Sequence, residues 1–98
     1  NKIYEDEHSL FFNDINPQAK IHVLGIPKTQ CVDYSDFISL SDPKIIVAFF
    51  QSVNLVIERL NIASKGYRII TNSGKDGGQE VPHFHIHILA GEKIGSLR

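Results

Sequence analysis

The 98-residue sequence predicts an α+β fold, in which an antiparallel meander of about five strands carries one long helix on one face. Short segments rich in apolar and aromatic residues, typical of strands, lie on both sides of a single long stretch with helical periodicity. Most connections between these segments are short, which favours antiparallel neighbours. A chain of this length holds one modest core, so we expect a single domain over residues 1–98.

Three strands are predicted ahead of the helix. Ile3–Glu5 and Leu10–Asp14 carry the aromatic and apolar side chains that strands favour. The turn signal Asn16-Pro17-Gln18 separates them from Lys20–Ile26, whose side chains alternate between two faces with the period of a strand. Pro27 ends this third strand because its nitrogen cannot donate to a sheet.

One long helix is predicted over residues 43–63, with Asp42 as its N-cap and proline at its first position. Apolar residues then recur at spacings of four, four, three and four, as one helical stripe: Ile45, Phe49, Val53, Val56 and Leu60. Further apolar residues widen the stripe, which fits either a deeply buried helix or one that also faces a second subunit. Gly66 is the predicted stop. The preceding segment, Thr29–Ser41, is predicted to be a loop with a helical turn at Tyr34–Leu40.

Two strands are predicted after the helix. Tyr67–Thr71 and Phe84–Leu89 have the composition of strands, and the polar segment 72–78 between them is predicted to be a flexible loop.

The charge balance argues against several functional classes. Ten lysine and arginine residues stand against eleven aspartate and glutamate residues, so the net charge of −1 gives no electrostatic footprint for nucleic acid or an anionic membrane. No apolar run reaches the roughly 20 residues of a membrane helix, and the first residues lack a signal-peptide pattern. The single cysteine, Cys31, cannot form an internal disulfide. We therefore expect a cytoplasmic protein that binds neither nucleic acid nor membrane.

Three histidines form the most informative pattern in the sequence. His83, His85 and His87 alternate with apolar residues, which predicts three imidazoles on one face of a strand, about 6.5 to 7 Å apart. A solvated sheet face is the plain structural interpretation. A zinc site is a second, because His-X-His can supply two ligands and His22 or Glu80 a third. Nucleophilic catalysis is the third, since imidazole titrates near neutrality, and the spacing alone does not decide.

A glycine-rich segment precedes these histidines. Gly74, Gly77 and Gly78 allow backbone N–H groups to approach phosphate oxygens, although a flexible hairpin loop is the commoner explanation of such glycines. The segment lacks the order of a P-loop, and no helix follows it.

The segment His83–Leu89 reads His-Phe-His-Ile-His-Ile-Leu and resembles the signature of the histidine-triad family of nucleotide hydrolases and transferases. Further stretches are similar to its Hint branch, the purine nucleoside phosphoramidases: Ile3–Asp6, Asp14–Ala19, His22, Ile26–Lys28 and Asn72–Gln79. The likeness covers nearly the whole chain in consistent order. It implies the fold of that family and a homodimer whose sheet continues across the interface.

The resemblance also implies a role for each histidine. His85 matches the family's nucleophile, which attacks the α-phosphorus of a nucleoside 5′-phosphoramidate; water then hydrolyses the nucleotidyl-histidine to the monophosphate. His87 would contact phosphate oxygens and assist the leaving group, while His83 and His22 would orient His85. This chemistry requires no metal and no other cofactor.

The remaining site residues follow from the same resemblance, with a purine nucleotide, an AMP or GMP conjugate, as substrate. The phosphate would be held by Asn72 and the backbone of Gly78, Gln79 and Glu80, the ribose by Asp14, and the base by Phe12 and Ile15. The residues alone leave other interpretations open. Phe12 and Ile15 fit a core, Asp14 fits the cap of a turn, and His22 fits a buried, hydrogen-bonded histidine.

Several positions depart from the family pattern. Glu80 stands where many animal members carry serine, so we expect its side chain to turn away from phosphate or to meet the substrate's amine. The segment Glu92–Arg98 lacks the Trp-Pro-Pro ending of animal relatives, which leaves the leaving group open. A dinucleoside polyphosphate hydrolase and a nucleotide-binding module with little turnover are the alternatives. Because relatives carry a segment before the first strand, we expect one to precede Asn1 in the full-length protein.

Overall fold

The computed structural model describes residues 1–96. These residues form strands β1 (Lys2–Glu5), β2 (Ser9–Asn13) and β3 (Ile21–Pro27), helices α1 (Tyr34–Leu40) and α2 (Pro43–Leu60), and strands β4 (Arg68–Ile70) and β5 (Ile86–Ala90). The strands pair antiparallel in one five-stranded sheet. The predicted α+β fold is confirmed, and the first three strands lie within one residue of their predicted bounds.

The sheet departs from a simple meander at its last two strands. The strand order is β1-β2-β3-β5-β4. After β3 the chain passes through both helices and forms β4 at the far edge of the sheet, and β5 then lies between β3 and β4. In the β3–β5 register Leu24 lies opposite His87, and His22 lies opposite Leu89. His22 and His87 are therefore diagonal neighbours on one face of the sheet.

Both helices begin at aspartate caps. The Asp42 carboxylate accepts the Lys44 N–H at 2.8 Å, and Asp33 caps α1 in the same way through the Asp36 N–H. Helix α2 ends three residues earlier than predicted, because Asn61 takes the left-handed conformation (φ 58°) and stops the helix before Gly66 is reached. Neither helix within residues 1–96 is long and apolar enough to span a bilayer.

The core lies between α2 and one face of the sheet. Buried side chains of the helix pack over buried residues of β2, β3 and β5: Phe49, Val53, Val56 and Ile57 on the helix, and Phe11, Val23, Ile86 and Ile88 on the sheet. Phe84 joins this core just ahead of β5 and stacks on Phe37 with ring centroids 5.0 Å apart. The opposite face of the sheet is left for His22, Leu24, Ile26 and His87.

The last strand begins two residues later than predicted. The backbone N–H of Phe84 donates to the Cys31 carbonyl, and that of His83 to the Val81 carbonyl, so neither is available to a neighbouring strand. Pro82 has no N–H to offer. The prediction of three histidines in a row on one strand is therefore wrong: only His87 lies within β5. Strand β4 is also shorter than the predicted Tyr67–Thr71. The segment Glu92–Arg98 was expected to differ from the animal relatives, and its residues 97 and 98 lie outside the described residues.

Candidate active site

The ring of His85 is held in one tautomer by the backbone. Its Nδ1–H donates to the carbonyl oxygen of His83 at 2.8 Å, which leaves Nε2 without a proton in the neutral imidazole. The flanking residues Phe84 and Ile86 are buried at 1% and 2% exposure and fix the backbone on either side. An unprotonated Nε2 on a half-buried, anchored imidazole is the atom that nucleophilic catalysis needs.

A second pair of histidines lies beside it. The backbone N–H of Gln18 donates to Nδ1 of buried His22 at 3.0 Å, so the proton of His22 sits on Nε2. This Nε2–H donates to Nδ1 of His87 at 2.8 Å. His87 in turn carries its own proton on Nε2, as a free donor. The ring centroids of His85 and His87 are 5.1 Å apart, so this donor lies next to the candidate nucleophile.

Its surroundings keep His87 neutral at physiological pH. Burial lowers the pKa of His87 below its ordinary value of 6.5, and the neighbouring His85 and His22 lower it further, against the opposing charge of Asp14. A neutral His87 with its proton on Nε2 donates a hydrogen bond without first being charged.

The support of His85 differs from the prediction in two respects. His83 orients the nucleophile with its carbonyl oxygen, while its ring donates from Nε2 to the Pro27 carbonyl at 3.1 Å. The ring of His22 bonds to His87 rather than to His85. His22 therefore fixes the proton of His87, the neighbour of His85, and makes no hydrogen bond to His85 itself within residues 1–96.

Asp14 has the turn cap that the sequence left open and also contacts a histidine. One carboxylate oxygen accepts the Asn16 N–H at 2.8 Å, which makes the Asx turn after β2. The other lies 3.4 Å from Nε2 of His22. The Asp14 side chain is 17% exposed, so the turn holds the carboxylate largely out of solvent.

Asp14, His22 and His87 are also the residues that come closest to a metal site, with their ligand atoms within 4.8 Å of one another. A metal ion would need an unprotonated nitrogen from each histidine. The 2.8 Å contact between the rings holds a shared proton, and that proton cannot move to Nδ1 of His22, which accepts the Gln18 N–H. The residues fit a hydrogen-bonded network better than a zinc site, and Glu80 is not part of the group.

An apolar cavity of about 390 Å³ opens beside the histidines. Its lining consists of Phe12, Asn13, Asp14, Ile15, Leu24, Ile26, Val81, His83 and His85. The volume is within the range of small-molecule sites. Phe12 is half-buried and Ile15 is 97% exposed, so the interpretation of Ile15 as core is wrong.

Four of the lining residues were not predicted from the sequence: Asn13, Leu24, Ile26 and Val81. Leu24 and Ile26 share the His22 face of β3, and this alternation was the signal that could have found them. Val81, 57% exposed ahead of the histidines, has no comparable signal.

Two of the three backbone N–H groups expected to bind phosphate already have acceptors within the glycine loop. The N–H of Gly78 donates to the Lys75 carbonyl at 3.1 Å, and that of Gln79 to the Gly74 carbonyl at 3.0 Å. Within residues 1–96 the N–H of Glu80 donates to no protein acceptor. Of the backbone N–H groups of Gly78, Gln79 and Glu80, which were expected to bind phosphate, that of Glu80 is thus the one still available. Asn72, the expected side-chain donor, is half-buried at the start of the loop.

Glu80 does not line the apolar cavity. It is exposed and lines a separate hollow of about 450 Å³ together with Val32, Gly74, Lys75, Gly78, Gln79 and Pro82, and no histidine lines that hollow.

Comparison with known proteins identifies the family. The family described as the HIT domain matches residues 1–94. The chain belongs to the histidine-triad family. An uncharacterised 13.2 kDa HIT-like protein of Azospirillum brasilense is 46% identical over 96 residues, which cover 98% of this chain and 79% of the relative. The purine nucleoside phosphoramidase of Escherichia coli is 35% identical over 95 residues, 97% of this chain and 79% of the enzyme.

Solved structures of HIT proteins confirm the fold. A histidine triad protein from Clostridium difficile has a TM-score of 0.89 at 38% identity, covering 99% of this chain and 84% of its own. A HIT family hydrolase from Clostridium thermocellum has a TM-score of 0.87 at 43% identity, and the match covers 98% of this chain and 83% of the hydrolase. The resemblance carried by the three histidines is confirmed, and the chain is a hydrolase-like member of a nucleotide-binding family.

Proposed function

We propose that this HIT protein hydrolyses purine nucleoside 5′-phosphoramidates to a nucleoside monophosphate and an amine, through a covalent nucleotidyl-His85 intermediate. The observation that carries the proposal is the hydrogen bond from Nδ1–H of His85 to the His83 carbonyl, which leaves Nε2 free to attack. The E. coli relative, named a purine nucleoside phosphoramidase, supports the substrate class.

In the first step, Nε2 of His85 forms a bond to the α-phosphorus while the phosphorus–nitrogen bond breaks. The leaving amine takes a proton from solvent. The Nε2–H of His87 donates a hydrogen bond to a phosphoryl oxygen and stabilises the charge that develops there. This role follows from the donation of His22 to the other nitrogen of His87, which leaves Nε2–H as the available donor.

In the second step, water attacks the phosphorus, the Nε2–phosphorus bond breaks and the monophosphate leaves. One proton of the water is released to solvent, and His85 returns to its neutral form. The Glu80 N–H and the Asn72 amide are proposed to hold the phosphate in both steps, since the former lacks a protein acceptor within residues 1–96.

The nucleoside would occupy the apolar cavity. Phe12 and Ile15 offer flat and branched apolar surface to a base, and the Asp14 carboxylate is an ionised acceptor for ribose hydroxyls. The same cavity wall includes His85, so a nucleoside bound there presents its 5′ substituent to the nucleophile.

The proposal includes a homodimer formed through β4. Within residues 1–96 this strand lies at the edge of the sheet and pairs with β5 alone. Ile69, in the strand, is 44% exposed, and Tyr67, just before it, is 41% exposed. Ile69→Lys should give a monomer in sedimentation velocity. Ile3→Lys, on the opposite edge strand, is the matched control and should leave the dimer intact.

A cytoplasmic location is also proposed, in line with the free Cys31.

The test of the reaction is a mass spectrum of protein quenched during turnover of adenosine 5′-phosphoramidate. We expect an added AMP on the peptide that contains His85, and neither adduct nor turnover in His85→Asn. Near-normal turnover by His85→Asn would refute the proposal. Faster cleavage of diadenosine polyphosphates than of the phosphoramidate would favour a polyphosphate hydrolase, and tight AMP binding without adduct would favour a binding module.

A further inference from the structure

The side chain of Gln79 ties three separate segments together beside the candidate phosphate site. Its Oε1 accepts the backbone N–H of Gly74 at 2.9 Å. Its Nε2 donates to the carbonyl of Val32 at 2.6 Å and to that of Val81 at 3.0 Å. One planar amide thus joins the start of the glycine loop, the segment ahead of α1 and the segment that leads to the histidines.

These bonds enclose the backbone of Glu80. The bond from the Gln79 side chain to the Val81 carbonyl closes a ring around the residue between them. The backbone N–H of Gln79 also donates to the Gly74 carbonyl at 3.0 Å, so residues 74 and 79 are joined twice. The Glu80 N–H donates to no protein acceptor within residues 1–96, and the conformation of its peptide is therefore set by the Gln79 amide.

The anchor at Val32 connects the loop to the nucleophile. The residue before it, Cys31, accepts the N–H of Phe84, which lies between His83 and His85. Val32 itself donates its N–H to the Asp36 carboxylate at 3.1 Å and so is fixed to α1. Through these contacts the glycine loop and the histidine segment are held against the same short stretch of backbone.

We propose that Gln79 is a positioning residue that aims the Glu80 N–H at the substrate's phosphate, while its own side chain touches no part of the substrate. The inference rests on the function proposed above, because it takes the loop to be the phosphate site. Fixed donors stabilise an anion better than mobile ones, since no reorganisation is needed when the charge arrives. Both hydrogens of the Gln79 Nε2 donate to protein carbonyls, which leaves the side chain no donor for a phosphate oxygen.

The variant Gln79→Met removes all three hydrogen bonds, adds no charge and retains a similar length. The matched control is Gln51→Met, the same change at an exposed position of α2. Calorimetric titrations with AMP and with adenosine separate the two effects, because adenosine uses the apolar cavity but brings no phosphate. We expect Gln79→Met to weaken AMP binding about tenfold or more and to change adenosine binding less than about twofold. Gln51→Met should change neither.

A second variant covers the case in which Gln79→Met does not fold. Gln79→Asn keeps the amide but is one methylene too short to reach all three partners, so we expect an intermediate loss of AMP affinity. Equal losses for AMP and adenosine, or no loss for either, would overturn the inference. Wild-type protein that binds AMP no better than adenosine would also overturn it. Wild-type protein that prefers AMP but forms no nucleotidyl-His85 would contradict the proposed reaction and leave the result on Gln79 standing.

Discussion

Asp6 is predicted to make a large part of the protein's stability dependent on pH. Its carboxylate lies in the turn between β1 and β2 and accepts hydrogen bonds from four donors: Ser52 Oγ at 2.5 Å, Ser9 Oγ at 2.8 Å, the His8 N–H at 2.9 Å and Tyr4 OH at 3.1 Å. Burial alone would raise the pKa of Asp6, but these bonds, with that of Ser52 the largest contribution, lower it from 3.8 to about 2.

The size of the effect follows from this shift. A fall from 3.8 to about 2 corresponds to about 2 kcal/mol of stability in favour of the folded, ionised form. Because the pKa is lower in the folded chain, the stabilisation is complete above the ordinary pKa of 3.8. It is lost as the pH falls through about 2.

The assay is guanidinium unfolding of wild type and Asp6→Asn over a pH series from 7 to 2. At pH 7 the variant should be less stable by about 2 kcal/mol, and the difference should shrink towards pH 2, where the wild-type carboxyl is also protonated. Glu5→Gln is the control. Glu5 also has a pKa near 2, because of its pairing with Lys28 and Lys2, but it is exposed, so its effect should weaken in high salt. A stability difference for Asp6→Asn that stays constant from pH 7 to pH 2 would refute the reasoning.

Three further predictions address the core and the histidines. Phe84→Ala should cost about 3–5 kcal/mol in thermal unfolding and also lower kcat/KM below the melting point, since the buried ring anchors the histidines on either side; unchanged turnover would contradict this. Gly25→Ala would bring a Cβ to 2.4 Å from a phenylalanine ring of β2 and should lower Tm, whereas Gly95→Ala, which meets nothing within 4 Å, should not. In an NMR titration His87 should show a pKa below 6.5, and Asp14→Asn should lower that pKa further by removing the charge that opposes the shift; a rise would show that the assigned cause is wrong.

Local patterns in the sequence predicted the elements well and their ends less well. The stripe of α2 and the caps before it depend on neighbouring residues alone, and both were predicted. Asn61 ended the helix early because asparagine tolerates the left-handed conformation, whereas the glycine five residues later was the more obvious stop. The start of β5 was set by a contact with Cys31, 53 positions away, which no local pattern contains.

The candidate site shows the same division between local pattern and tertiary contact. The alternation of His83, His85 and His87 pointed to the segment that joins His22 in one cluster, and the family resemblance pointed to five of the nine residues that line the cavity. The proton positions could not be predicted, because they depend on which carbonyl or amide faces each ring. The bond from the Gln18 N–H to His22 needs the turn that brings the chain back to β3. The anchors of Gln79 span up to 47 positions and become visible only in the folded chain.

The candidate site has a rigid part around His85 and a more exposed part that lines the cavity. His85 is flanked by residues buried in the core, so moving its Nε2 means disturbing the packing that stabilises the fold. Ile15 and Val81 line the cavity at 97% and 57% exposure, and their side chains contribute little to that packing. Substitutions at these two positions therefore alter the lining of the cavity at small cost in stability, whereas substitutions next to His85 disturb the ring and the core together. Under the proposed function, base preference can vary independently of the chemistry, because the cavity lining and the buried core are different layers of the same fold.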